Sequence, residues 1–425
     1  MKENNENTDA RNETSTENEI KKPTFDSLNV SKNLIDKLNL KNITVPTSVQ
    51  AKVIPLVAEG KNIMFQSETG TGKTFAYLLP LVQKLESEEN PKHAVKVLIA
   101  APTYELASQI KVQVQLITEL KSALCIGGTP LTRQIELLKE KPVIIIGGPA
   151  RLLELIHLKK LKADDVETLV LDEADRLLSP ELRDETEGLL ERLPQKVQLI
   201  GCSATVSDYT RKILQKARDG LVENQNENDA ESNAILLVTM PENNVLANSI
   251  THWALFAERR DKIDTLRSFI NAVKPKKLIV FTSRTDQIQN IVSKLQYKKI
   301  NCAGLCAKTD KKERKAAIDR FRSGKCPILI TTDLASRGLD IEGITHVVQM
   351  DLPEDADFFI HRSGRTARAG QKGINCVIGD EMEMRNYAIL EKKLKIKVYP
   401  KELFNGKIAS PEELEQNNSS GGKKE

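Results

Sequence analysis

The sequence predicts two tandem α/β domains, each built on a parallel sheet, joined by a short linker and carrying a flexible tail at both ends. Three observations predict it. Short runs of apolar and β-branched residues alternate with amphipathic helical stretches, as parallel strands do when helices cover both sheet faces. The alternation breaks once, between residues 219 and 249, and then resumes. Both ends are polar and lack aromatic residues.

Residues 1–22 are rich in Asn, Glu and Thr, with one Ile. Such a stretch cannot bury enough apolar surface to order itself. The first domain is expected over 23–240. Its candidate strands are 62-NIMFQS-67, 97-VLIAAP-102, 122-SALCIGG-128, 143-VIIIGG-148, 168-TLVLD-172 and 197-VQLIGCSA-204. Amphipathic runs such as 104-YELASQIKVQVQLITEL-120 lie between them. The polar, acidic stretch 219-DGLVENQNENDAESN-233 is expected to be a loop insertion. A strand-like AILLV at 234–238 follows, then a linker over 241–249. The second domain, 250–407, resumes with 277-KLIVFTS-283, 300-INCAGLC-306, 327-PILITTD-333, 346-HVVQMDL-352 and 373-GINCVIG-379. Residues 408–425 are expected to be flexible again.

Composition narrows the partners. At 425 residues, with 40% hydrophobic and 29% charged, the chain can bury two cores. Residues 1–22 carry −2, 218–233 carry −4 and 408–425 carry −2 against +4 for the whole chain, which leaves +12 on the rest. A basic body suits a polyanion. Aromatic residues are only 4%, which argues against a base-stacking platform. The six cysteines form no C-x-x-C pair and several sit in apolar runs, so they are expected to be buried thiols in a reducing compartment. No apolar run approaches a membrane span, and a cytoplasmic protein is expected.

The chemistry begins at 67-SETGTGKT-74, between a strand and an apolar helix start. Gly70 and Gly72 let the backbone curl so that its N–H groups converge at a helix N-terminus, where the dipole favours an anion. The segment 66–74 is therefore expected to cradle a triphosphate with Ser67, Glu68, Thr69, Gly70, Thr71 and Gly72. Lys73 reaches the β- and γ-phosphates and the Thr74 hydroxyl ligates Mg²⁺. Ser67 stands where the consensus has glycine.

A second constellation, 168-TLVLDEADRLL-178, ends a buried strand in Asp172, Glu173 and Asp175. Crowded carboxylates need a cation. Magnesium on a triphosphate supplies one, because ligands of a parallel sheet bind at the strands' carboxyl ends. Asp172 is expected to hold the ion and Glu173 to orient or deprotonate an attacking water.

With these motifs in place, the sequence resembles the DEAD-box RNA helicases over roughly residues 23–405. The resemblance implies two RecA-like domains and ATP with Mg²⁺ as cofactors. It also implies RNA-stimulated ATP hydrolysis that closes both lobes on RNA and opens short duplexes or remodels RNA–protein complexes. It places Phe25 and Gln50 of segment 23–51 on the adenine, and Gly338 and Asp340 of 331-TTDLASRGLD-340 on the nucleotide. In 361-HRSGRTARAG-370, three arginines (Arg362, Arg365 and Arg368) need an anion that a γ-phosphate provides. Arg365 and Arg368 are then catalytic. Asp175, Ser203, Thr205, His361 and Arg362 couple hydrolysis to RNA. Thr103, Glu105, Gly128, Arg151, Arg314 and Thr332 hold the RNA backbone without reading sequence. The expected partner is RNA, with a ribonucleoprotein or ribosomal precursor as target, and the expected state is a monomer.

The chain departs from the family mostly on the RNA side. Tyr104 replaces an arginine in 102-PTYELA-107, and Gly148 in 148-GPAR-151 removes a hydroxyl. Cys306-Ala307 stands for His-Gly, Lys311 for glutamine, Arg284 for threonine and Asn42 for glycine. The expectation is a working ATPase with an altered grip on RNA.

Overall fold

The computed structural model describes residues 23–66, 72–88, 94–203, 208–221, 234–239, 245–306, 309–336, 341–368 and 371–413. Among the described residues the first lobe carries seven strands: β1 Ile63–Gln66, β2 Val97–Ala100, β3 Ser122–Cys125, β4 Ile144–Gly147, β5 Thr168–Asp172, β6 Gln198–Ser203 and β7 Leu236–Val238. They form one parallel sheet in the order β3-β4-β2-β5-β6-β1-β7. The alternation of side chains builds two cores. Val170 and Ile200 enter one face with Ile63 and Phe65, while Leu169, Leu171 and Met64 enter the other. Burying each such side chain stabilises the fold by roughly 1.5–3 kcal/mol.

The second lobe carries β8 Ile250–Phe256, β9 Leu278–Phe281, β10 Cys302–Leu305, β11 Ile328–Thr331, β12 His346–Gln349, β13 Gly373–Gly379, β14 Val398–Phe404 and β15 Lys407–Ala409. Their order is β10-β11-β9-β12-β13-β8-β14-β15, parallel except for the terminal β14–β15 hairpin. The two α/β lobes and their parallel sheets match the expected fold class.

Three expectations need correction. Strands β8, β14 and β15 were not expected, and β15 carries regular structure past residue 408, where a flexible tail was placed. The proposed insertion begins too early, because the helix Asp208–Leu221 continues through residues 219–221. An Asp-Gly pair reads as a turn in isolation. A running helix propagates through it, since each further residue adds a hydrogen bond. The rest of 219–233, residues 241–244 of the expected linker and the tail beyond 413 lie outside the described residues, while Val245–Asn248 of that linker form a short helix.

In both sheets the carboxyl ends of the strands carry the motifs. Close approach requires glycine at one of them. A Cβ on Gly147, at the end of β4, would sit 2.1 Å from the Cys125 carbonyl oxygen.

Candidate active site between the two lobes

Asp172 closes β5 and is fully buried. An ionised carboxylate there costs several kcal/mol unless charge and hydrogen bonds offset it. One helix, Lys73–Ser87, supplies both. Lys73 Nζ lies 3.2 Å from Asp172 Oδ1, and the Tyr77 phenol donates to Oδ2 at 2.9 Å. Spacing of i and i+4 puts the two side chains on one helix face. Burial alone would pull the Lys73 pKa down, but the Asp172 carboxylate outweighs it and holds the ammonium above its usual value. Burial, reinforced by Asp172, pushes the Tyr77 phenol well up, so it remains a donor.

Asp172 Oδ1 has its ion pair but accepts no hydrogen bond. A buried carboxylate oxygen of this kind fits a cation. Among the described residues no cluster of three or more His, Cys, Asp or Glu could hold a metal alone. The donor set therefore fits Mg²⁺ that brings phosphate ligands with it.

The adenine-side segment is tied to the same helix. Gln50 Oε1 accepts from the Thr47 backbone in a capping box, and Nε2 donates to the Gly72 carbonyl at 3.0 Å. Gly72 is left-handed (φ 81°), and a Cβ there would meet Gln50 Nε2 at 2.4 Å. The amide expected to face adenine thus spends one hydrogen and one lone pair on protein. Phe25, also expected there, is buried in the first lobe's core.

Glu173 follows Asp172 in the left-handed region (φ 58°, ψ 56°), at a cost of about 1–2 kcal/mol for a non-glycine residue. The sharp turn ends the strand and starts the helix Ala174–Leu177. Glu173 lines a cleft of about 250 Å³ with Asp175 and Arg176 of its own lobe. Phe281, Asp333, His361, Arg362 and Arg365 of the second lobe are among the residues that line it from the other side.

Among the described residues, His361 and Arg314 each reach from the second lobe to the first. His361 Nε2 lies 3.2 Å from Asp175 Oδ2. Burial works to raise the Asp175 pKa, but His361 and the Ser203 hydroxyl overcome it and hold the carboxyl below its usual range. Farther along, Arg314 donates through Nε to Glu105 Oε1 at 2.8 Å.

The three arginines part ways. Arg362 is buried and donates to both Asp333 oxygens at 2.7 Å, to the Asp351 carbonyl at 2.9 Å and to Ser283 Oγ at 3.0 Å. Its anion is protein, which corrects the expectation that a phosphate balances all three. Arg365 enters the cleft lining, and Arg368 Nε donates to the Gly364 carbonyl at 3.3 Å.

A family model described as DEAD/DEAH box helicase matches residues 47–213, and one described as Helicase conserved C-terminal domain matches 261–370. Over 363 residues the chain is 37% identical to the DEAD-box ATP-dependent RNA helicase CshC of Bacillus cereus, covering 85% of this chain and 88% of that protein. The chain belongs to the DEAD-box RNA helicase family. It is also 34% identical to the probable ATP-dependent RNA helicase YfmL of Bacillus subtilis, covering 87% and 94% of the two chains. The solved structure of S. cerevisiae Dbp5 bound to RNA and ADP BeF3 matches with a TM-score of 0.78 at 26% identity, over 89% of this chain and 95% of that one.

Seen as a DEAD-box protein, the chain gives several of its expected RNA contacts partners within the protein. Thr103 Oγ1 caps its own helix, Tyr104–Ile117, by accepting from Leu106 N at 3.2 Å. Thr332 Oγ1 accepts from Ala335 N at 3.4 Å. Arg151 donates to the Thr129 carbonyl beside Gly128 at 3.1 Å and pairs with Glu154 at 2.8 Å. Glu105 and Arg314, both expected on RNA, meet each other. Tyr104 is 51% exposed. Asn42 adopts the left-handed φ of 59° that explains the family's glycine at that place. Ser67, Glu68, Thr69, Gly70, Thr71, Thr205, Gly338 and Asp340 lie outside the described residues.

Sequence reasoning missed Tyr77, Asp333 and Asp351. A tyrosine four residues after Lys73 in an otherwise apolar helix start was the available signal for the first. Asp333 lies inside a quoted motif, but nothing local marks it as the partner of an arginine 29 residues away.

Proposed function

We propose that this chain is an RNA-stimulated ATPase whose two lobes close on an RNA backbone, separating short duplexes or remodelling RNA–protein complexes. One observation carries the reading. Asp175 and His361 touch across the lobes in the same cleft that Glu173 of one lobe and Arg365 of the other both line.

In this reading Lys73 and the backbone around Gly72 bind the β- and γ-phosphates. Thr74 and Asp172 would hold Mg²⁺, which would supply charge neutralisation beside the phosphates. Glu173 orients the attacking water and takes its proton. Arg365 and Arg368 stabilise charge that develops on the γ-phosphoryl oxygens. Arg362 acts earlier in the chain of support, fixing the turn that carries Arg365 by clamping Asp333 and Asp351. Closure completes the site, so ATP and RNA raise each other's affinity.

RNA is gripped through its backbone, without reading bases. Contacts to 2′-hydroxyls favour RNA over DNA. The similarity to Dbp5 bound to RNA and ADP BeF3 supports both ligands. We place the protein in the cytoplasm as a monomer acting on ribonucleoprotein or ribosomal precursors. No helix among the described residues is long and apolar enough to cross a membrane.

The test is ATP turnover with single-stranded RNA, with DNA of matching sequence, and with neither. RNA should stimulate turnover, DNA should not, and Glu173→Gln should abolish the stimulated rate while both ligands still bind. Equal stimulation by DNA, or undiminished turnover in Glu173→Gln, contradicts the reading.

A further inference from the structure

Tyr77 is fully buried among the apolar residues of the first lobe, yet its hydroxyl reaches the one carboxylate expected to carry the metal. Apolar packing alone asks only for a ring. The oxygen does what a ring cannot: it donates to Asp172 Oδ2 at 2.9 Å. The phenol therefore touches a residue expected to ligate magnesium.

The consequence is geometric. A carboxylate can turn about its terminal bond and present either oxygen, or share both with one ammonium. With Oδ2 fixed by a buried phenol, Lys73 is left with Oδ1 alone, at 3.2 Å. Oδ1 is also the oxygen that accepts no hydrogen bond. The carboxylate is thus held with one oxygen committed to protein and the other turned to positive charge.

We propose that Tyr77 is a positioning residue for magnesium, pinning Asp172 so that Oδ1 alone is offered to the cation. This rests on the ATPase reading above. Partners that orient a metal ligand typically change metal affinity by tenfold or more when removed. Phenylalanine keeps the ring and its packing while deleting the oxygen, so Tyr77→Phe isolates the effect.

The experiment measures binding of a fluorescent ATP analogue to the full chain while MgCl₂ is titrated, with thermal unfolding run alongside. Tyr77→Phe should raise the magnesium midpoint about tenfold. Binding at saturating magnesium should stay near the wild-type level. In an Asp172→Asn background the same substitution should shift the midpoint no further, because the phenol acts through that carboxylate. An unchanged midpoint in Tyr77→Phe, with wild type responding to magnesium, overturns the inference and leaves the ATPase reading standing. A shift of equal size in the Asp172→Asn background means packing alone and also overturns it. Wild type that binds the analogue without any dependence on magnesium overturns both readings.

Discussion

The carboxyl edge of the first sheet divides into two halves that treat polar side chains differently. Strands β5, β6 and β1 stand side by side, and so do β3, β4 and β2. On the first half, Asp172, Lys73 and Tyr77 are buried and bonded to one another, and buried Ser203 supports Asp175, which meets His361 of the other lobe. On the second half, Thr103 caps a helix, Arg151 tethers a loop and Tyr104 stands in solvent. Low dielectric makes the buried set strong and intolerant of change. The more open set leaves backbone groups and surface charge to do the holding, which tolerates change. Tyr104 and Gly148, two of this chain's departures from its family, both fall on this more open half.

Several substitutions sharpen that contrast. Lys73→Ala should have the largest effect, because it removes the phosphate contact and strands Asp172 without its counter-charge. ATP turnover should vanish, and chemical denaturation should show a loss of about 3–5 kcal/mol. A small stability loss would mean the pair is not buried in solution. Arg362→Ala should destabilise the second lobe by about 3 kcal/mol, since Asp333 and Asp351 lose a shared partner but keep some solvent. A thermal midpoint equal to wild type would remove Arg362 from its structural role.

Two smaller effects follow, the first on the more open half. Tyr104→Arg should tighten RNA binding a few-fold and steepen the salt dependence of log Kd by about one phosphate contact. If neither changes, that position does not touch RNA. The smallest effect concerns pH. Asp175 has a depressed pKa in the folded state, so its contribution is complete above pH about 4 and lost as pH falls through the depressed value. The gap in thermal midpoint between wild type and Asp175→Asn should therefore be steady at neutral pH and close below about pH 4. A gap that widens on acidification contradicts this sign.

The same division governs what could be read from sequence. β5 and β13 match their apolar runs residue for residue, because strands buried on both faces write continuous apolar text. β14 was illegible: it is mostly exposed, contains Pro400 and lies near the sheet's edge. β8 interleaves Thr251 and His252 with apolar residues directly after the break in rhythm. In the site, the motifs named the residues but not their partners. Nothing local in HRSGRTARAG marks Arg362 as the arginine that Asp333 and Asp351 satisfy. The pairing of Glu105 with Arg314 spans 209 residues and two lobes, so only the folded chain shows it.

Whether one lobe's arginine completes the other lobe's nucleotide site is tested most directly by the single-turnover rate of ATP hydrolysis in Arg365→Ala, with RNA and nucleotide both saturating. A fall of about a thousandfold, with both ligands still bound, is the result expected of an arginine acting across the lobes. A rate equal to wild type would contradict it.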